Sequence, residues 1–265
     1  MSAGAVADGI RLEGVGLDFD TKEGVFAALE GVTFDIPVGG FTTLLGPSGC
    51  GKSTLLRTIS DILQPSRGTL SLFGRTPSQA RQNGDFGFVF QDPVLLPWLD
   101  CLSNTALPLD LAGVSKRERT ERATEMLRLV GLEGFERRMP SQISGGMARR
   151  VAIARALVLS PRILFLDEPF NGLDELRRRQ MNEELQRIWL ESGTTAILVT
   201  HNVSEAVFMS DRVLVMARNP GRIIADERIG LPRPRTQELT RSPEFLAYED
   251  RLTALLTDAY RGVDD

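Results

Sequence analysis

Cysteine is nearly missing from this 265-residue chain: Cys50 and Cys101 are the only two, and their spacing forms no metal-ligand pair. That excludes a disulfide framework or a cysteine-built metal site, and it points to a reducing, cytosolic compartment. Histidine occurs once, at His201, and aromatic residues make up only 6%. No apolar run approaches the ~20 residues that span a bilayer. Met1–Asp8 lacks both a basic and an apolar segment, so it does not read as a secretory signal. Thirty-one Lys and Arg against 35 Asp and Glu give a net charge of −4, which is no global basic footprint for nucleic acid and speaks only to the chain as a whole, not to local basic clusters. Repeats and low-complexity tracts are absent as well. With 42% hydrophobic and 25% charged residues, a soluble globular protein of one large or two modest α/β domains remains.

The most specific stretch present is Gly46-Pro47-Ser48-Gly49-Cys50-Gly51-Lys52-Ser53-Thr54. It reads G-x-x-x-x-G-K-S, between the apolar run Phe41–Leu45 and the helix-compatible Leu55–Ile59, the strand–loop–helix context that a phosphate loop requires. Glycines let backbone N–H groups approach phosphate oxygens, and the helix turns its positive end toward the same anion. Lys52 suits the β- and γ-phosphates, and the Ser53 hydroxyl suits Mg²⁺. An ordinary glycine turn is the remote alternative.

Along the chain, Ile10–Asp18 and Val32–Ile36 alternate as strands joined through a turn at Lys22-Glu23-Gly24, an antiparallel layer. Strands follow at Phe41–Leu45, Thr69–Leu72, Phe86–Phe90, Ile163–Leu166 and Ala196–Thr200, with a strand pair turning at Asn219-Pro220-Gly221. From Asp92 to about Ser160 the pattern is mainly helical, with a capping box from Ser115 to Glu118, and reads as an insertion. Met147, Val151, Ala154 and Val158 share one helix face, with Arg149, Arg150 and Arg155 off it. A tail from Leu231 leads to a weakly amphipathic helix over Pro243–Leu256 and is either packed or peripheral. Strands alternating with helices predict a mainly parallel sheet, whose ligands gather beyond the carboxyl ends of the strands.

Four further positions make chemical sense around the phosphate loop. Asp167, ending an apolar strand, suits a Mg²⁺ site through water, and Glu168 suits a general base for water attacking the γ-phosphate. Gln91 offers a neutral amide to Mg²⁺ or that water, and His201 offers an imidazole to the γ-phosphate. Ser144-Gly145-Gly146 begins a helix with backbone donors aimed at an anion. Each of these taken alone is bland: an acidic turn, a strand-end Gln, a lone His, a helix cap.

In this order the motifs resemble the ATP-binding subunit of ABC transporters: phosphate loop, Gln91, Ser144-Gly145-Gly146-Met147, Asp167-Glu168, Asn171-Gly172-Leu173-Asp174, His201. The resemblance runs from about Ile10 to Ile229. It implies a P-loop NTPase with a RecA-like, mainly parallel sheet core, an N-terminal antiparallel β layer and an inserted helical subdomain. Residues 1–91 and 161–230 would then form the nucleotide-binding core, 92–160 the helical subdomain and 231–265 a tail of one ABC ATPase domain. ATP and Mg²⁺ are the implied ligands. Gly46 through Thr54 would bind the nucleotide with Lys52; Phe19 would stack on adenine; Ser53, Gln91 and Asp167 would serve the metal. Lys52, Gln91, Glu168 and His201 would carry the hydrolysis, while Ser144, Gly145, Gly146 and Asp174 would act across a dimer on the nucleotide of a second copy.

Gln91–Leu99, Ser144–Met147 and Met216–Ile223 resemble the nitrate/sulfonate/taurine importer branch more closely. That branch implies two copies beneath two membrane-spanning permease subunits, a solute-binding protein outside, and a peripheral place on the cytoplasmic face of the membrane. The permease would dock near Gln91–Leu99. An exporter motor and a soluble ABC ATPase of repair or translation are the alternatives; the latter usually carry tandem nucleotide domains or long insertions, absent here. Departures from the family pattern are Ile143 for Leu, Arg149 for Gln, Asn202 for Asp, and Ser60-Asp61 for Ala-Gly.

Overall fold

A computed structural model describes residues 9–22 and 24–261. The expectations for Met1–Asp8 and for Glu23 in the first turn lie outside the described residues. The chain divides into two compact units, Met1–Asn83 with Thr195–Asp265, and Gly84–Thr194.

In the first unit, β1 (Ile10–Thr21) and β2 (Gly24–Ile36) pair antiparallel, and β4 (Arg67–Leu72) joins the other edge of β1, giving the order β2-β1-β4. Val32, Phe34 and Ile36 do share the buried face that their alternation predicts. Strand β1 departs from strict alternation: the register shifts between Leu12 and Val15, where Gly14 adopts φ +60.

The second sheet of this unit has the order β7-β3-β8-β9. Here β3 (Phe41–Leu45) runs parallel to both β7 (Thr195–Thr200) and β8 (Arg212–Ala217), and β9 (Arg222–Arg228) closes the edge antiparallel to β8. Strands β3 and β7 are buried at every position, which explains why their sequences are continuous apolar or Thr runs. Helix α1 (Lys52–Ile59) follows β3, and α7 (Val203–Met209) follows β7. Helix α2 (Pro77–Gln82), unforeseen in the sequence reading, is announced by a capping box: Thr76 accepts from the Gln79 amide and Gln79 returns to the Thr76 amide.

The tail is packed. Helix α8 (Pro243–Arg261) buries Phe245, Leu252 and Ala259, and the Tyr248 hydroxyl accepts from the Gly230 amide at 3.0 Å.

The second unit carries the parallel pair β5 (Phe86–Val89) and β6 (Ile163–Asp167) with the helices α3 (Cys101–Leu111), α4 (Lys116–Leu129), α5 (Gly145–Leu157) and α6 (Glu175–Ser192). Ser115 caps α4 by accepting from the Glu118 amide, as its spacing predicts. Leu127, Val151, Ala154, Leu185 and Ile188 fill its core. Antiparallel layer, mainly parallel sheet and helical insertion are thus all present.

Candidate active site

The phosphate loop leaves β3 at Leu45 and enters α1 at Lys52. Gly49 and Gly51 hold φ of +81 and +95, where other residues are strained, and a Cβ on Gly46 would lie 2.7 Å from both the Cys50 Sγ and the Met216 carbonyl. The loop can close this tightly only with glycine. No side-chain cap bond forms at Gly51, and the positive end of α1 that follows suits an anion. Lys52 is buried, its Nζ donating to the Gly46 and Pro47 carbonyls at 2.8 and 2.9 Å, a folded-back ammonium poised over its own loop. Cys50 is an inert filler: burial pushes its thiol up, more than Lys52 and Arg218 pull it down.

His201 follows β7 directly. Leu45 and Thr200 are register partners in the β3–β7 ladder, so the phosphate loop and His201 leave neighbouring strands at the same level. His201 is exposed, and the residues around it are fixed. The Thr200 hydroxyl bonds the Glu205 carboxylate and accepts from the Asn202 amide at 3.0 Å, and Asn202 caps α7 through the Glu205 amide at 2.9 Å. Asn at 202 therefore fills the same capping role that Asp would. Phe19 lies near the far end of β1 opposite Phe26, exposed rather than in the core.

In the second unit the same logic repeats. Val89 and Leu166 are register partners, so Gln91 and the Asp167-Glu168 pair emerge side by side from the ends of β5 and β6. Asp167 is buried at the strand end, and Glu168 is half-buried with φ +45, a left-handed conformation rare for a residue with a side chain. Backbone strain of this kind gathers at working residues.

Ser144 caps α5 by accepting from the Met147 amide at 3.3 Å. A Cβ on Gly145 would meet nothing within 4 Å, one on Gly146 only the Ser144 Oγ at 3.9 Å, and neither residue has a positive φ. Nothing among the described residues requires glycine at either place. Asp174 caps α6 through the Arg177 amide at 3.0 Å and pairs with the Arg177 guanidinium.

Sequence reasoning missed the residues that hold the loop after β5. Arg149, off the Met147–Val158 face as read, is nonetheless buried, and its Nη2 donates to the Gln91 carbonyl at 3.1 Å. Arg155 donates to the carbonyls of Pro93 and Val94 at 2.8 and 3.0 Å. Fully buried Asn104 accepts from the Leu96 amide and donates to the Leu96, Leu99 and Asp100 carbonyls. A polar amide inside the apolar run of α3 was the available signal.

Comparison with known proteins agrees with this geometry. The family described as ABC transporter matches residues 29–171. Taurine import ATP-binding protein TauB of Rhizobium johnstonii is 45% identical over 234 residues, 86% of this chain and 88% of its own length. An uncharacterized ABC transporter ATP-binding protein of Methanocaldococcus jannaschii is 41% identical over 94% of this chain and 91% of its own. A solved dimeric bacterial ABC transporter cassette, 32% identical, superposes with a TM-score of 0.74 over 84% of this chain and all of that one.

The fold is that of an ATP-binding cassette. The chain belongs to the ABC transporter ATP-binding family and is an ATPase, and its relatives bear out the importer-branch resemblance read from the sequence.

Proposed function

We propose that this chain is the motor subunit of an importer for a small solute of the nitrate, sulfonate or taurine type, working as a head-to-tail pair. The observation that carries the reading is the helix start Ser144–Gly146, with Ser144 and Gly145 exposed, Gly146 half-buried, and no need for either glycine among the described residues. Such a surface suits the close approach of an outside phosphate, the γ-phosphate held by a second copy. That a related cassette was solved as a dimer supports the pairing. The solute class rests on the taurine import relatives, and the partners on the same branch: two permease subunits and, indirectly, a solute-binding protein. Among the described residues no helix is long and apolar enough to cross a membrane, which suits a peripheral subunit at the cytoplasmic face.

In this reading the first-turn amides of α1 and Lys52 hold the β- and γ-phosphates, and Phe19 offers a face to adenine. No group of three His, Cys, Asp or Glu that could hold a metal occurs among the described residues. Hard oxygens such as those of Ser53, Gln91 and Asp167 would suit Mg²⁺ that keeps water and phosphate ligands. When bound, Mg²⁺ neutralises charge on the phosphate oxygens. Glu168 takes the proton of the attacking water, His201 holds the γ-phosphate side, and Asp174 communicates across the pair. Residues 92–160 serve as the coupling subdomain, with the permease docked on the loop Gln91–Leu99, where Val94 and Trp98 are 60% and 70% exposed. ATP binding favours the closed pair, and hydrolysis reopens it.

Replacing Glu168 by Gln tests the assignment. ATP binding is expected to persist while turnover nearly stops and a nucleotide-bound dimer accumulates on size exclusion. Normal turnover in that variant overturns the role.

A further inference from the structure

We propose that Arg235, in the tail, is a positioning residue for ATP hydrolysis: it gathers the carbonyls at the end of α7 and so fixes the helix whose leading edge carries His201. This rests on the reading of His201 as a γ-phosphate contact.

Arg235 is 1% exposed. Its Nη1 donates to the carbonyls of Val207, Phe208 and Ser210 at 2.7, 3.0 and 2.7 Å, and its Nη2 reaches those of Leu231 at 3.2 Å and Ile229 at 3.5 Å. Arg233 supplies the missing member of the series, donating to the Met209 carbonyl at 2.6 Å while its Nε bonds Asp211 at 2.9 Å. Every carbonyl from Val207 through Ser210 thus accepts from one of these two arginines.

The end of a helix leaves its last carbonyls without helical partners and carries partial negative charge, which a buried guanidinium answers on both counts. Helix α7 needs the help, because seven residues are far below the length at which a helix holds itself in water. Its opposite end is fixed by the Thr200, Asn202 and Glu205 network, and His201 sits within that network's span. With both ends pinned, the backbone bearing His201 has little room to move. A burial this complete pushes the Arg235 guanidinium down to about 10, with Arg233 adding to the effect, so the group stays charged at neutral pH. A surface tail would have no reason to accept that penalty.

The experiment measures ATPase kinetics of the full chain for Arg235→Lys, His201→Ala and the double variant, with hydrogen exchange of the single variant. A lysine keeps the charge but cannot fork to carbonyls on several sides. We expect Arg235→Lys to lower kcat about tenfold with KM for ATP within about twofold, and to leave kcat within about twofold in the His201→Ala background, the non-additivity of residues acting as a unit. Amides of 203–210 are expected to exchange faster. An equal fall in both backgrounds, or an unchanged kcat with faster exchange, overturns the positioning role while leaving His201's role intact. Normal turnover of His201→Ala alone overturns the reading of His201 and this proposal with it. Should Arg235→Lys fail to fold, Arg233→Gln removes the Met209 and Asp211 bonds while leaving Arg235 in place, and the same non-additivity with a fall of about threefold decides the question.

Discussion

The guanidinium of Arg149, on the helix that begins at Ser144–Gly146, donates to the backbone carbonyl of Gln91 in the loop after β5. Two motifs 58 residues apart in sequence are thereby tied by one hydrogen bond. A hydrogen bond from a charged donor contributes about 1.5–3 kcal/mol, toward the lower end for a part-buried one such as this. Arg149→Ala is therefore expected to lower the midpoint of thermal unfolding by several degrees and to weaken permease-stimulated ATPase more than basal ATPase. Equal losses of both activities would leave Arg149 a packing residue only.

The turn between β8 and β9 braces the phosphate loop. Gly221 donates to the Ala28 carbonyl at 3.1 Å and accepts from the Glu30 amide at 3.0 Å, and a Cβ there would lie 2.5 Å from the Cys50 carbonyl and 2.7 Å from that of Ala28. Both obstacles are backbone, so neither can swing aside. Gly221→Ala is expected to displace the loop and weaken ATP binding at least about tenfold, with about 1–3 kcal/mol lost in stability. Titration with a fluorescent ATP analogue checks it; unchanged affinity would mean that the turn and the loop are mechanically separate.

How much of this could be read from the residues follows from the range of the interactions. The phosphate loop, the Asp167-Glu168 strand end and the cap at Ser144 are local patterns, and each stands on the element its spacing predicts. The β3–β7 and β5–β6 registers, which set Gly46 level with His201 and Gln91 beside Asp167, also follow from buried apolar strands ending at chemistry-bearing residues. What stayed illegible was arginine. Arg149, Arg155 and Arg235 look like solvent-facing charges in one dimension, yet each reaches backbone carbonyls far along the chain, and no periodicity encodes that. The packing of the tail is illegible for the same reason, because it depends on Arg235 and on Phe245, Leu252 and Ala259 meeting a surface the local pattern does not reveal.

Asp61, one of the departures from the family pattern, supplies a pH test. It adopts φ +62, where the family's Gly would be at ease, and its carboxylate accepts from Arg81 and Gln64, each at 2.8 Å. Desolvation works to raise this carboxyl, but the bonds from Arg81 and Gln64 outweigh it and hold it below the usual Asp range. The folded-state value is therefore the lower one. Its stabilisation is fully present above the unfolded-state value near 3.8 and fades as pH falls through the folded value. Asp61→Asn is expected to cost about 1 kcal/mol at pH 7 after allowance for solvent screening, and the gap to the parent chain should begin to narrow only below about pH 4. Urea unfolding between pH 3 and 7 measures it. A gap that does not change with pH would mean that the strained backbone, and not the ion pair, sets the difference.

Ser144 separates binding from turnover most cleanly. Its hydroxyl caps α5, and beside it Gly145 and Gly146 leave space that none of the described residues fills. Arginine at 144 loses the cap, which is worth about 1 kcal/mol, and fills that space with a long side chain. The phosphate loop stands in the other compact unit, between β3 and α1 with Lys52 folded over it. Ser144→Arg is accordingly expected to leave ATP affinity of the isolated subunit within about twofold while hydrolysis falls by more than about a hundredfold, the pattern of an interaction made only when the pair closes. Equilibrium binding and steady-state turnover on the same preparation check this. A parallel loss of affinity and rate in the monomer would place Ser144 on its own chain's nucleotide, and a second copy would then not be needed to complete the site.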